Sequence, residues 1–179
     1  MPAKPPELFT LSRLPTPIGV ALVVTDAAGA VRAFDWEDFE PRLRRLAARY
    51  NRGAELRQGE APAAVADAVT AYFAGDFAAF DDLDLETGGT AFQCAAWQAL
   101  TEIPAGETRS YGQQAARIGK PKAVRAIGLA NGANPIGLII PCHRVIGADG
   151  SLTGYGGGLE RKRWLLRHEG VEISEELAA

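Results

Sequence analysis

The stretch DFAAFDDLDLETGGT, residues 76–90, divides the chain into two parts of different chemistry, and no other feature constrains the fold as much. Helical and strand periodicity both lapse there, acid accumulates, and Gly88 and Gly89 close the stretch. Residues 1–90 carry 9 Lys and Arg against 14 Asp and Glu, residues 91–170 carry 10 against 5, and the tail 171–179 adds three Glu. The net charge of −3 therefore averages an acidic half with a basic one. Only the basic half suits a phosphate backbone. The expectation is an α+β chain of two domains, 1–89 and 90–179.

In the first half, TPIGVALVVTD and VRAFDW flank AAGA and predict a β-hairpin. EDFEPRLRRLAARYNRG places Leu43, Leu46, Ala47 and Tyr50 at helical spacing before an Asn51–Gly53 stop. APAAVADAVTAYFAG predicts a second helix ending at Gly75, with Val65, Ala68, Val69, Tyr72 and Phe73 on one face. The second half opens with TAFQCAAWQALTEIP, a helix capped by Thr90 with Phe92, Ala95, Ala96 and Leu100 inward, and Cys94 read as a packing residue. SYGQQAARIG and KPKAVRAIGLANG predict two short helices around a Gly119 turn, the second starting near Pro121, in the manner of a helix-turn-helix. Their charged residues, Arg117, Lys120, Lys122 and Arg125, are all positive. NPIGLIIPCHRVIG reads as an extended buried segment, ADGSLTGYGGG as a glycine-rich loop, and LERKRWLLRHEG as a final helix.

No apolar run approaches the roughly 20 residues that span a bilayer, and MPAKPPELFT lacks a signal-peptide core, so the chain is expected in the cytoplasm with no membrane partner. Its two cysteines form no C-x-x-C pair, which leaves no disulfide scaffold and no zinc motif. In LIIPCHRVIG, Cys142 could be a core filler, a metal ligand or a nucleophile. A thiol attacks as thiolate, and an unperturbed Cys ionises near about 8.5, so a nucleophile needs a base or a positive neighbourhood. His143 and Arg144 are candidates. On an extended strand adjacent side chains point to opposite faces, so Cys142 and His143 meet only through a turn or a water. A carboxylate behind the imidazole would orient it, and both Glu169 and Asp149 are available. The loop TGYGGG could bring backbone N–H groups close to a ligand, but it matches no phosphate-loop or dinucleotide fingerprint.

The segments FQCAAWQAL, IPAGETRSYGQQAARIGKPKAVRAIGLANGANP, IPCHRV and GYGGGLERKRWLLRHEG resemble, in order and spacing, the O6-alkylguanine-DNA alkyltransferases over about residues 90–170. Residues 1–89 fit more loosely, as that family's ribonuclease-H-like α/β supporting domain. The resemblance implies irreversible, single-turnover repair, in which an alkyl group moves from O6-alkylguanine, and from O4-alkylthymine, to Cys142. His143 would deprotonate the thiol through a water and Glu169 would orient His143. Asn134 would brace the turns around the cysteine, and Tyr111 would donate to the guanine ring nitrogen. The Val145 carbonyl would accept from the exocyclic amine, with Tyr155, Gly156 and Gly157 as the pocket lid. Arg125 would enter the DNA stack in place of a flipped nucleotide, with Ser110, Lys122, Ala123 and Ala126 along the same DNA-binding face. The second helix would lie in the minor groove of double-stranded alkylated DNA, and the protein would act as a monomer. No metal or organic cofactor is implied.

Two positions depart from the pattern: Gly156 stands where some members carry Ser, and Gly137 where others carry Ser or Pro. Three other readings compete. A non-catalytic alkyltransferase-like lesion binder would lack the cysteine, a cysteine hydrolase gives no reason for the basic helix pair, and a DNA-binding regulator would leave IPCHRV purely structural.

Overall fold

A computed structural model describes residues 1–174, which separate into two compact units divided between Gly88 and Gly89. Glu175 and Glu176 of the acidic tail lie outside the described residues. The chain is α+β, and no helix among the described residues is long and apolar enough to cross a membrane.

In the first unit β1 (Leu8–Thr16), β2 (Gly19–Thr25), β3 (Val31–Trp36) and β4 (Glu55–Gln58) form one sheet in the order β3-β2-β1-β4. The hairpin read from the sequence is β2 and β3. Two further strands flank it, β1 pairing antiparallel with β2 and β4 pairing parallel with β1. The TP of TPIGVALVVTD belongs to β1 and its turn, because Thr16 already pairs with Gly19. Ala21, Leu22, Val23 and Val24 are 0% exposed, so β2 is covered on both faces. The helix α1 (Glu40–Tyr50) sets Leu43 among Phe9, Leu11, Leu22, Val24 and Ala33, and α2 (Ala63–Phe73) buries Val65, Ala68, Val69 and Tyr72. The acidic stretch is not unstructured. Val31 donates its N–H to the Asp84 carbonyl and accepts at its own carbonyl from Glu86, which straps residues 84–86 along the outer edge of β3.

The second unit contains α3 (Ala91–Thr101), β5 (Arg109–Ser110), α4 (Tyr111–Arg117), α5 (Val124–Gly132), β6 (Val145–Ile146) and α6 (Leu159–His168). Capping boxes open α3 and α4: Thr90 and Gln93, then Ser110 and Gln113, each exchange side-chain and backbone hydrogen bonds. Ala96, Ala115, Ile127 and Ala130 pack where α3, α4 and α5 meet, and the three alanines let the helices approach closely. The indole N–H of Trp97 donates to the Ala130 carbonyl at 2.8 Å, which satisfies the one polar atom of a buried ring. This phase corrects the reading of α3: Trp97 and Ala99 are buried with Ala96 and Leu100, whereas Ala95 and Cys94 are exposed. The α5 helix begins at Val124, after Ala123, and Pro121 belongs to the turn before it.

Gly89 combines a φ of +90° with a tight neighbour, since a Cβ there would stand 2.6 Å from Cζ3 of Trp97. That ring is held by its own hydrogen bond and cannot swing away. Gly53 has a similar φ of +73° with nothing within 4 Å. Gly89→Ala is therefore expected to destabilise by roughly 1–3 kcal/mol more than Gly53→Ala, a difference that urea unfolding midpoints measure directly.

Candidate active site

Cys142 reaches its position through a series of turns, not along an extended segment. Asn134 organises them: its side-chain oxygen accepts from the Ile136 N–H at 3.1 Å and its amide donates to the Ile140 carbonyl at 2.9 Å. Between those anchors Leu138 takes a left-handed φ of 65°, which a non-glycine residue holds only where its surroundings enforce it. Residues Cys142–Arg144 then form one 3-10 turn, which leaves Cys142 half-buried while His143 and Arg144 are buried. The segment ends in β6, paired parallel with β5.

Behind the cysteine lies a closed charge network. His143 Nε2 stands 3.0 Å from each carboxylate oxygen of Glu169, the residue that caps α6. Arg144 grips the same carboxylate with Nε at 2.9 Å and Nη2 at 2.7 Å, and its Nη1 donates to the Ile103 carbonyl at 2.6 Å. Burial pushes the Glu169 pKa up, but the hydrogen bonds from Arg144 and His143 outweigh it and hold it at about 2. Burial lowers the pKa of His143, and Glu169 only partly offsets that, so the imidazole is neutral at pH 7. Arg144, not His143, is thus the counter-ion of Glu169. An ionised carboxylate only accepts hydrogen bonds, so Nε2 carries the imidazole proton and Nδ1 carries the lone pair. Nδ1 is buried and has no hydrogen-bond partner among the described residues. Asp149, the other carboxylate considered, sits in an exposed turn and accepts from Ser151.

Cys142 lines a cavity of about 160 Å³ with Tyr111, Gly128, Asn131, Gly132, Gly154, Tyr155 and Gly156. The Tyr111 hydroxyl donates to the Thr153 carbonyl at 2.9 Å. Val145 and Gly157 are not part of that lining. The Val145 carbonyl accepts from Lys162 at 2.6 Å, and the Gly157 carbonyl accepts from Arg161 at 3.0 Å. Sequence reasoning missed Lys162. It is 0% exposed, and Nζ donates also to Thr153 and Gly154 at 2.9 and 3.3 Å, tying the glycine-rich loop to β6. Burial lowers its pKa to about 8, against the opposing pull of a Cys142 thiolate. The same attraction favours the thiolate. A lysine in a basic helix gives no sign in sequence of pointing inward, so only the fold reveals it.

Around α5 the side chains of Lys122, Arg125 and Ala126 are exposed, and Ala123 and Ser110 are half-buried. Arg117 instead pairs with Glu102 at 2.8 Å. Of the small residues on α5, Ala130 packs inside, but a Cβ on Gly128 would meet nothing within 4 Å. Leu129 and Val124, at 72% and 42% exposure, are apolar residues on this surface that the sequence reading did not single out.

Residues 91–171 match the family described as 6-O-methylguanine DNA methyltransferase, DNA binding domain. The chain is 49% identical over 160 residues to the methylated-DNA–protein-cysteine methyltransferase of Salmonella typhimurium, covering 88% of this chain and 94% of that one. It is 61% identical over 103 residues to the enzyme of that name from Mycobacterium tuberculosis, covering 58% and 62%. The crystal structure of Mycobacterium tuberculosis OGT in complex with DNA superposes with a TM-score of 0.76 at 39% identity, over 94% of this chain and 98% of that one. Identity that runs through both units, with the family match over the second of them, places the chain in the methylated-DNA–protein-cysteine methyltransferase family.

Proposed function

We propose that Cys142 is the acceptor in a direct, single-use transfer of a methyl or larger alkyl group from O6-alkylguanine, and from O4-alkylthymine, in double-stranded DNA. The observation that carries this is the His143 imidazole, held neutral against Glu169 with Nδ1 buried and unpartnered one residue from the thiol. A water between Nδ1 and Sγ completes the relay. The thiol proton passes to His143, and the thiolate attacks the alkyl carbon in line with the departing oxygen. A C–S bond forms as the C–O bond breaks, and guanine leaves as an anion that takes up a proton. The imidazolium that forms is stabilised by Glu169, and the thiolate by the Lys162 ammonium. Groups that bind the leaving guanine more strongly as its charge grows lower the barrier. The Tyr111 hydroxyl, once it exchanges the Thr153 carbonyl for the base, and the Gly156 N–H fill that role from the cavity wall, with Tyr155 and Gly157 in the lid and the second lone pair of the Val145 carbonyl for the exocyclic amine. Asn134 acts at one remove by bracing the turns beneath Cys142.

A target carbon inside a duplex is reached only by flipping the nucleotide out, at a few kcal/mol. In this reading α4, its turn and α5 are a helix-turn-helix with α5 in the minor groove. Arg125 fills the vacated stack, while Lys122, Ser110, Ala123 and Ala126 lie along the DNA. The exposed Leu129 and Val124 and the open space at Gly128 support a surface that a partner covers. The first unit serves as a ribonuclease-H-like support, a reading that its mixed sheet favours. The protein works as a monomer in the cytoplasm. The competing lesion-binder reading loses its ground at Cys142, where the nucleophile is present.

Incubation with a duplex bearing labelled O6-methylguanine is expected to place one methyl per chain on Cys142, read by peptide mass spectrometry, and then to stop. Cys142→Ser should abolish transfer and keep lesion binding within a few-fold. Catalytic release of methanol, or binding without transfer, would falsify the proposal. Arg125→Ala should slow reaction with the duplex far more than with free O6-benzylguanine, and equal slowing would remove its role in flipping. The depressed Glu169 pKa gives a third expectation. A carboxylate at about 2 in the fold and near 4.5 when unfolded contributes about 3 kcal/mol. That contribution is present above pH 4.5 and is lost as pH falls toward 2. Urea unfolding from pH 6 to pH 2.5 should show this decline, and Glu169→Gln should flatten it.

A further inference from the structure

The α4 and α5 helices are joined by a buried amide pair that the reaction described above does not use. Gln114 Nε2 donates to Asn131 Oδ1 at 2.8 Å, and Asn131 Nδ2 donates back to Gln114 Oε1 at 2.7 Å. Gln114 Nε2 also donates to the Ala96 carbonyl at 3.1 Å. The two side chains are 1% and 9% exposed, in a seam otherwise packed with Ala96, Ala115, Ile127 and Ala130. Burying two carboxamides there requires dehydrating four polar atoms, where two aliphatic side chains would require none. Packing alone therefore gives no reason for the pair.

The hydrogen-bond inventory shows what the pair leaves over. Gln114 uses both its N–H groups, and the Ala96 carbonyl, which can only accept, fixes which way its amide faces. That in turn fixes the amide of Asn131. Asn131 is left with a second N–H on Nδ2 for which no acceptor exists among the described residues. Asn131 also lines the 160 Å³ cavity that holds Cys142. It is the one side-chain carboxamide among the eight lining residues; the others are four glycines, two tyrosines and the cysteine.

We infer that Asn131 is a specificity-determining residue for the alkyl group, donating its remaining N–H to an oxygen carried on that group, and that Gln114 is the positioning residue that aims it. This rests on Cys142 being the acceptor. In that reaction the polar edges of the base are matched by Tyr111, the Val145 carbonyl and the Gly156 N–H. The reacting carbon must lie at Sγ, so whatever extends beyond it enters the remainder of a cavity only a few ångströms across, where the wall includes Asn131. The substrate class is O6-alkylguanine whose alkyl chain bears a hydroxyl or similar oxygen acceptor.

The test compares two duplexes whose adducts have equal numbers of heavy atoms, O6-(2-hydroxyethyl)guanine and O6-propylguanine, with O6-methylguanine as reference. Single-turnover transfer to Cys142 is measured for the wild type, Asn131→Leu and Gln114→Leu. The wild type should favour hydroxyethyl over propyl, and Asn131→Leu should lower that ratio on the order of fivefold, the worth of one hydrogen bond, with methyl transfer slowed less than hydroxyethyl transfer. Gln114→Leu should lower it in the same direction by releasing the Asn131 amide. A purely structural pair would slow all three substrates together. A ratio unchanged in both variants, or a wild type that prefers propyl, overturns the inference, and the wild-type comparison stands even if a variant does not fold. Absence of methyl on Cys142 in the wild type overturns the acceptor reading and this inference with it.

Discussion

The carboxylate of Glu169 is the interaction on which the second unit depends. It sits at the C-terminal end of α6 and accepts from His143 and Arg144, which belong to the 3-10 turn, while Arg144 also reaches the Ile103 carbonyl just beyond α3. One buried anion thereby ties three chain segments together. Removing any member leaves a buried charge or donor uncompensated, which is costly even where the intact pair adds little net stability. The same contacts set the tautomer of His143, so the structural role and the chemical role cannot be separated by moving one atom.

What was legible in the sequence followed from local rules. The cap at Thr90, the turn at Gly119 and the helical spacing of α1 and α2 all depend on residues a few positions apart, as does the capping box at Ser110, which the sequence reading passed over. The strands β1 and β4 were not legible. LFTLSRLPT mixes polar residues and a proline, and ELRQ is too short and too polar to show a buried face; each is a strand because a neighbour supplies its hydrogen bonds. The segment before Cys142 is strongly apolar, which resembles a buried strand. Only the Asn134 side chain, bonding at both ends of the turn, makes it fold back, and that depends on tertiary placement.

The candidate site divides in the same way. Cys142, His143, Glu169, Asn134 and Tyr111 stood out through a resemblance carried by contiguous motifs, and the fold brings the first three into one network or beside it. Lys162 and the Gln114–Asn131 pair did not stand out. Lysine and glutamine on short helices ordinarily face water, and nothing within a few residues of either shows that carbonyls or a partner amide await it inside. Both show themselves only in the hydrogen bonds that their buried polar atoms make.

The charges around the cysteine explain why such a site persists at all. The Glu169 carboxyl, held at about 2 by Arg144 and His143, stabilises the fold by about 3 kcal/mol at pH 7. The pKa of Lys162 falls from 10.5 to about 8. For a cation that sign is reversed: burial costs about 3 kcal/mol below pH 8, a penalty relieved only as pH rises toward 10.5. Near neutral pH the two contributions therefore have opposite signs. They also set the environment of Cys142, with an ammonium that favours a thiolate and a neutral imidazole on the adjacent residue. Leucine or methionine at position 162 would leave the Val145, Thr153 and Gly154 carbonyls without this donor, so the lysine there serves the glycine-rich loop as well as the charge balance around Cys142.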